Sequence, residues 1–182
     1  MTLRTEAVRE LSAWAAPTPD QVALRAAYLD HLAVHDDGMW RRCAPGHLTA
    51  SALVLDRPGR RVLLTLHPKV GRWLQTGGHC EPGDRTLAAA ALREATEESG
   101  IAGLELHDGP VRLDRHVVPC QPDGSSEHFD VQYVAIAPAG ATETISEESL
   151  DLRWWPVDAL PEGVDGSVRA LVWQALAVAG AD

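Results

Sequence analysis

The chain lacks any uninterrupted apolar run close to the roughly 18 residues that a membrane-spanning helix requires. Its first 14 residues also lack the apolar core of a secretory signal peptide. We therefore expect a cytoplasmic protein with no membrane partner.

Cysteine is scarce as well. The chain has three, Cys43, Cys80 and Cys120, and none of them forms a Cys-x-x-Cys pair. An odd number of unclustered cysteines predicts reduced thiols rather than a disulfide framework, as expected in a cytoplasm. Cys80 follows His79, but without a second thiol nearby we interpret it as a packing residue rather than a soft-metal ligand.

Positive charge is also in short supply. The 182 residues include 16 Lys or Arg against 26 Asp or Glu, and the net charge is −10. Because polynucleotide binding calls for a basic surface, this balance argues against a polynucleotide partner. A single nucleotide remains compatible, since a bound metal can hold its phosphates. The length suffices for one domain with a substantial core.

The most informative segment joins a glycine-rich loop to a helix that carries three glutamates. Residues 77–84 read Gly-Gly-His-Cys-Glu-Pro-Gly-Asp, and residues 93–101 read Arg-Glu-Ala-Thr-Glu-Glu-Ser-Gly-Ile. Glu94, Glu97 and Glu98 are spaced i, i+3 and i+4, so their side chains converge on one helix face. Another face is rich in alanine and suits packing against a sheet.

Repulsion between these glutamates destabilises an isolated helix. Like charges at i and i+4 cost about 0.2–0.5 kcal/mol, and carboxylates near a helix C-terminus face the negative end of its dipole. A divalent cation bound between them would reverse both effects. Hard oxygen ligands suit Mg²⁺ or Mn²⁺ better than zinc. We therefore favour a Mg²⁺ or Mn²⁺ site over a solvated acidic surface.

The helix also has recognisable ends. Asp84 or Thr86 is placed to cap its start, and Gly100 is placed to end it.

These residues resemble the signature of the Nudix hydrolases, Gly-x5-Glu-x7-Arg-Glu-U-x-Glu-Glu-x-Gly-U, in which U is aliphatic. Residues 93–101 match it completely, with Ala95 as a small member of the aliphatic position. The first half departs from it. Asp84 stands where the signature, counted from Gly78, has Glu, and eight residues rather than seven separate Asp84 from Arg93. We interpret this as one inserted residue near Arg85.

The resemblance implies a metal-dependent pyrophosphohydrolase that cleaves a nucleoside diphosphate linked to another moiety. It implies that Glu94 and Glu98 bind the metal directly, that Glu97 binds directly or through water, and that a carbonyl of Gly77 or Gly78 completes the shell. Arg93 would pair with the glutamates and orient them.

Two alternatives belong to other functional classes. One is a catalytically silent Nudix-fold sensor of a nucleotide metabolite, and the other is an isoprenoid diphosphate isomerase. Retention of all three glutamates argues against a pure sensor, and the context Thr76-Gly77-Gly78 does not resemble the isomerase branch. The particular diphosphate substrate stays open.

The catalytic base and the substrate contacts are less determined. Glu147 and Glu148 lie in an acidic loop, and Nudix members often bring a distant acid from such a loop to the metal. The candidates for the base are therefore these two residues together with Glu94 and Glu97, and a solvated loop is the alternative. The candidates for substrate contact are Gly77, Glu81, His67 and Asp130.

The rest of the chain predicts an α+β fold. Two helices, at residues 5–15 and 19–35, precede a series of strands, and a last helix spans 167–178. Thr18, Pro19 and Gln21 read as an N-cap, a first helical residue and a capping-box partner. The resemblance implies a mixed sheet in an α/β/α sandwich. We divide the chain into a helical extension, 1–45, and a Nudix domain, 46–182. For the extension, a lid packed on the core is favoured over a homodimer contact or a wall of the substrate pocket.

Overall fold

The computed structural model describes residues 1–121, 124–146 and 149–180, and for residues 119–121, 124 and 125 it describes the backbone alone. The elements follow one another in this order: α1 (Leu3–Ala13), α2 (Pro19–Val34), β1 (Gly46–Leu55), β2 (Arg61–His67), β3 (Arg72–Leu74), β4 (Thr76–His79), α3 (Leu87–Ser99), β5 (Glu105–Leu106), β6 (Arg112–Gln121), β7 (Gly124–Ile136), β8 (Asp151–Pro156) and α4 (Gly166–Ala179). Each helix in these ranges is too short or too polar to cross a bilayer.

Strand β1 is the centre of a mixed sheet. Along one edge it pairs in parallel with β7 over its whole length, and along the other it pairs antiparallel with β4 and then with β2. Strands β5 and β6 extend the sheet beyond β7, and β3 and β8 extend it beyond β2. All ten residues of β1 are buried, as expected for a strand that is covered on both faces.

Helices cover both faces of this sheet. Alternate residues of β1, among them Leu48 and Ala50, pack with α1, α2 and α3 in one apolar cluster. Leu53 and Leu55, which point the other way, pack with Leu171 and its neighbours on α4 in a second cluster. The prediction of a mixed sheet between helices, with an N-terminal helical region, is therefore confirmed.

The second N-terminal helix is anchored to the sheet by polar side chains. The Gln21 amide donates to the Leu113 carbonyl at 3.0 Å and accepts from the Leu113 N–H at 2.7 Å. The buried Tyr28 hydroxyl donates to the Asp114 carbonyl at 2.6 Å. The capping-box prediction is thus wrong, because Gln21 is used by β6, and the Thr18 side chain makes no capping hydrogen bond. Pro19 does begin the helix.

Candidate active site

The two glycines that the sequence places in a loop lie in strand β4. Gly77 is opposite Ser51 of β1, and Gly78 is opposite Ala50. A Cβ added at Gly77, where φ is +155°, would lie 2.6 Å from the Ser51 Cα, which is too close for any side chain. A Cβ at Gly78 would lie 2.7 Å from the carboxyl carbon of Glu94. The missing side chains therefore bring β4 against both β1 and helix α3.

Helix α3 is fixed at both ends as its sequence predicts. The Thr86 hydroxyl accepts from the Ala89 N–H at 3.0 Å, and Gly100 adopts the left-handed conformation, with φ of 66°, that ends the helix. Ala91 and Ala95 are fully buried within the core cluster that includes β1. Because these side chains are small, the helix lies close to the sheet and its glutamate face borders β4.

Arg93 gathers the acidic groups around it. Its Nη1 donates to Glu94 at 3.0 Å and to Glu97 at 3.1 Å, and its Nη2 donates to the His79 carbonyl of β4 at 3.0 Å. Hydrogen bonds from Arg93 to Asp84, and then those to Glu94, raise its pKa further above the ordinary arginine value, so the guanidinium stays charged. Glu94 and Glu97 are thereby held next to the strand by the Arg93 guanidinium.

Asp84, which departs from the Nudix signature, has a defined place in this cluster. Its two carboxylate oxygens accept from Arg93 Nε at 3.2 Å and Nη2 at 3.0 Å. One of them also accepts from the Glu81 N–H at 2.7 Å. Asp84 therefore closes the loop between β4 and α3 and orients Arg93, while Thr86 rather than Asp84 caps the helix.

The predicted site residues fall into four groups. One group lies where α3 meets β4 and consists of Arg93, Glu94, Glu97 and Gly78. Glu98 is the residue after Glu97 on α3. Glu81 is exposed in the adjoining loop, and His67, at the end of β2, accepts from the Lys69 N–H at 3.2 Å. Asp130 lies on β7. Glu147 and Glu148 are outside the described residues.

Asp130 is buried on the sheet face that points away from α3. Its carboxylate accepts from Thr49 at 3.0 Å, from Ser51 at 2.6 Å and from Gln132 at 3.1 Å, and Gln75 lies at 3.3 Å. Complete burial raises the pKa of Asp130 despite these hydrogen bonds. Sequence reasoning missed Thr49 and Ser51, although polar residues alternate with Leu and Ala along β1 and could have indicated a polar face.

The residues at α3 fit a hard divalent cation. Three carboxylates and a strand carbonyl are the oxygen donors that Mg²⁺ and Mn²⁺ prefer. The absent side chain at Gly78 leaves the space in which the Glu94 carboxylate lies against the β4 backbone. A helix–strand junction with this donor set is suited to hold a divalent cation next to a phosphate group.

The family follows from a direct match. The protein-family model of the NUDIX domain matches residues 45–174 of the sequence, and the chain therefore belongs to the Nudix family of hydrolases. No curated protein matches the sequence.

Solved structures share the fold at low identity. They include a NUDIX-family hydrolase from Clostridium perfringens, with 23% identity and a TM-score of 0.56, covering 72% of this chain and 97% of that one. An Ap4A hydrolase binary complex from C. elegans has 19% identity and a TM-score of 0.58, with coverages of 74% and 98%. The E. coli dihydroneopterin triphosphate pyrophosphohydrolase has 21% identity and a TM-score of 0.58, with coverages of 70% and 92%.

Proposed function

We propose that this Nudix hydrolase is a Mg²⁺- or Mn²⁺-dependent pyrophosphohydrolase that cleaves a nucleoside diphosphate linked to another moiety by attack of water at phosphorus. The observation that carries the proposal is the glutamate face of α3, held by Arg93 against the glycines of β4. Glu94 and Glu98 would hold the metal directly, Glu97 directly or through water, and a carbonyl of β4 would complete the shell.

The roles of the side chains follow from their contacts. A bound divalent cation neutralises the diphosphate and lowers the pKa of water. Arg93 fixes the direction of the Glu94 and Glu97 carboxylates, so that little rearrangement is needed when substrate arrives. A carboxylate takes the proton of the attacking water. Because a carboxylate that ligates a cation is a weaker base, Glu147 or Glu148 is favoured over the two helical glutamates for this step.

Substrate contacts are proposed for residues of β2 and β4, of the loop before α3, and of β7. The backbone of Gly77, the exposed Glu81 and His67 are the candidates for contact with the phosphates or the linked moiety. The Asp130 carboxylate already accepts hydrogen bonds from its neighbours, so we propose that it acts by orienting Gln132 and Gln75. An Ap4A hydrolase and a dihydroneopterin triphosphate pyrophosphohydrolase share the fold, which supports a nucleotide-like phosphate anhydride as the substrate.

The extension, residues 1–45, is proposed as a helical lid on a Nudix domain of residues 46–182. The hydrogen bonds that the Gln21 side chain donates to and accepts from Leu113 of β6 support packing on the core. The odd number of unclustered cysteines supports a cytoplasmic location.

Metal dependence is the first expected result. Hydrolysis should be measured over a panel of nucleoside triphosphates, nucleotide sugars, dinucleoside polyphosphates and coenzyme A, with Mg²⁺ and with Mn²⁺. Activity on the best substrate should disappear with a chelator and return with millimolar Mg²⁺ or Mn²⁺, because the carboxylates alone repel a diphosphate. Turnover that persists in excess chelator would refute the proposed role of the metal. Binding of the panel without turnover would favour the sensor.

Two glycine variants separate the role of β4 in the site from its role in the fold. In Gly78→Ala the added methyl group meets the end of the Glu94 side chain, which has to move, so Mg²⁺ affinity and kcat should fall about tenfold or more and the free energy of unfolding should fall less than in Gly77→Ala. In Gly77→Ala it meets the backbone of Ser51, so the free energy of unfolding should fall by about 1–3 kcal/mol. Urea unfolding measures the stability of each variant, and Mg²⁺ titration measures its metal affinity. Equal effects of the two variants on metal affinity would contradict this division.

A further inference from the structure

Three histidines from neighbouring strands meet on the sheet face that points away from α3. His47 of β1 is directly opposite His128 of β7, and His79 of β4 is opposite Thr49, two residues beyond His47. Because side chains alternate along a strand, all three project to the same side. The ring of His47 lies 5.0 Å from that of His79 and 4.7 Å from that of His128, between centroids, and the third pair is 5.2 Å apart.

The nitrogen atoms of this cluster are close enough to share one ion. One ring nitrogen from each histidine lies within 4.8 Å of the other two. In a tetrahedral site with metal–nitrogen distances of about 2.0–2.1 Å, the ligand nitrogens are about 3.4 Å apart. Small rotations of the imidazole rings would therefore complete a three-ligand site.

Two nitrogens of the cluster are buried in a way that ordinary packing does not explain. His47 is fully buried, and neither its Nε2 nor the buried Nε2 of His128 has a hydrogen-bond partner among the described residues. A buried polar atom that is left unpaired destabilises the folded state, because it has lost its hydrogen bonds to water. A cation between the rings would accept both lone pairs and remove this cost.

The histidines are in the protonation state that metal binding needs. Burial lowers the pKa of His47 to about 4 and that of His128 to about 3, so both imidazoles are neutral near pH 7. Neutral imidazole suits zinc, copper, nickel and cobalt, whereas Mg²⁺ prefers oxygen. Cys80, which follows His79, is buried in the apolar cluster on the α3 side and takes no part.

We propose that His47, His79 and His128 form a binding site for a divalent transition-metal ion of the zinc class, distinct from the carboxylate site on α3. The two sites lie on opposite faces of β4, since Gly78 borders Glu94 and the next residue, His79, points to the other side. The ion would tie β4 to β1 and β7 and so fix the strand on which Gly77 and Gly78 lie.

Calorimetric titration with Zn²⁺ tests the proposal on the full chain after removal of metal with a chelator. Saturating Mg²⁺ is kept present so that the carboxylates of α3 are occupied. We expect one equivalent of Zn²⁺ to bind and to raise the melting temperature by linkage. In His128→Asn the affinity should fall by about 100-fold or more, and the rise in melting temperature should disappear. No Zn²⁺ binding by the wild-type protein would overturn the proposal.

Control variants exclude the other donor clusters. His35, Asp37 and Cys43 also bring ligand atoms within 4.8 Å of one another, so Cys43→Ser must keep the zinc affinity. Glu98→Gln must keep it as well, which separates this site from the one proposed for catalysis. Loss of binding in either control, with binding intact in His128→Asn, would overturn the assignment.

Cobalt substitution keeps the test decisive if His128→Asn does not fold. Co²⁺ in a tetrahedral imidazole site of the wild-type protein should give strong visible absorption, and no thiolate charge-transfer band should accompany it. A thiolate band would assign the ion to a site that contains a cysteine, and the weak spectrum of octahedral cobalt would assign it to carboxylates; either result would overturn the proposal. The positive charge of Arg41 also lowers the pKa of His47 and His128, and the same charge opposes the binding of a cation. Arg41→Gln should therefore tighten zinc binding.

Discussion

Glu98→Gln should lower kcat by about 10³-fold or more. At ~1.4 kcal/mol per factor of ten, this is a loss of several kcal/mol of transition-state stabilisation. Glutamine keeps the shape of the side chain but loses the charge that the proposed metal site requires. Helix α3 should remain folded in this variant, because removal of the Glu98 charge relieves its repulsion with Glu94, four residues earlier. The measurement is kcat on the best substrate at saturating Mg²⁺, with urea unfolding as the check on folding.

Glu162→Gln is the matched control for this variant. Glu162 is an exposed acid in the segment between β8 and α4, so its replacement removes the same charge outside the glutamate face. It should leave kcat unchanged. Full activity of the Glu98→Gln protein would end the assignment of this residue as a metal ligand.

Arg93→Met should lower the free energy of unfolding by about 2–3 kcal/mol, somewhat less than the loss of one partner from a fully buried ion pair, because the Arg93 side chain is 21% exposed. The side chains of Asp84 and Glu94 are only 7% and 13% exposed, so without Arg93 their charges are buried with little compensation. The kcat should fall as well, because Glu94 and Glu97 lose the group that orients them. Urea unfolding in the presence of a chelator measures the first effect without any contribution from metal.

Two further variants isolate the cause of this loss. The double variant Asp84→Asn with Arg93→Met should recover part of the stability, since one of the uncompensated charges is gone. Arg153→Met removes an arginine that is 62% exposed and paired with Asp151, and it should cost no more than about 1 kcal/mol. Similar losses in Arg93→Met and Arg153→Met would show that the acidic cluster does not depend on Arg93.

Local patterns predicted the elements that carry the site. The spacing of Glu94, Glu97 and Glu98 depends only on helical geometry, and the end of α3 at Gly100 depends only on backbone sterics. The sandwich architecture followed from the periodicity of the chain and from the Nudix resemblance. These features could be predicted because each is determined by residues a few positions apart, or by the family.

Pairings between distant segments were the part that could not be predicted. Gln21 has the right spacing for a capping box, yet its side-chain amide donates a hydrogen bond to the carbonyl of Leu113, 92 residues further along the chain. Gly77 and Gly78 read as a loop until their pairing with β1 is known. The histidine cluster joins residues from three strands in the same way, and no local pattern in the sequence marks it.

Mn²⁺ binding to the chelator-treated protein, followed by electron paramagnetic resonance, distinguishes a metal site on α3 from a solvated acidic surface. Zn²⁺ is supplied first to occupy the histidine site. We expect that the wild-type protein binds Mn²⁺, that Mg²⁺ displaces it, and that Glu98→Gln weakens the binding at least tenfold while Glu162→Gln does not. Equal Mn²⁺ affinity in the wild-type and Glu98→Gln proteins would contradict the claim that the glutamate face of α3 is the metal site.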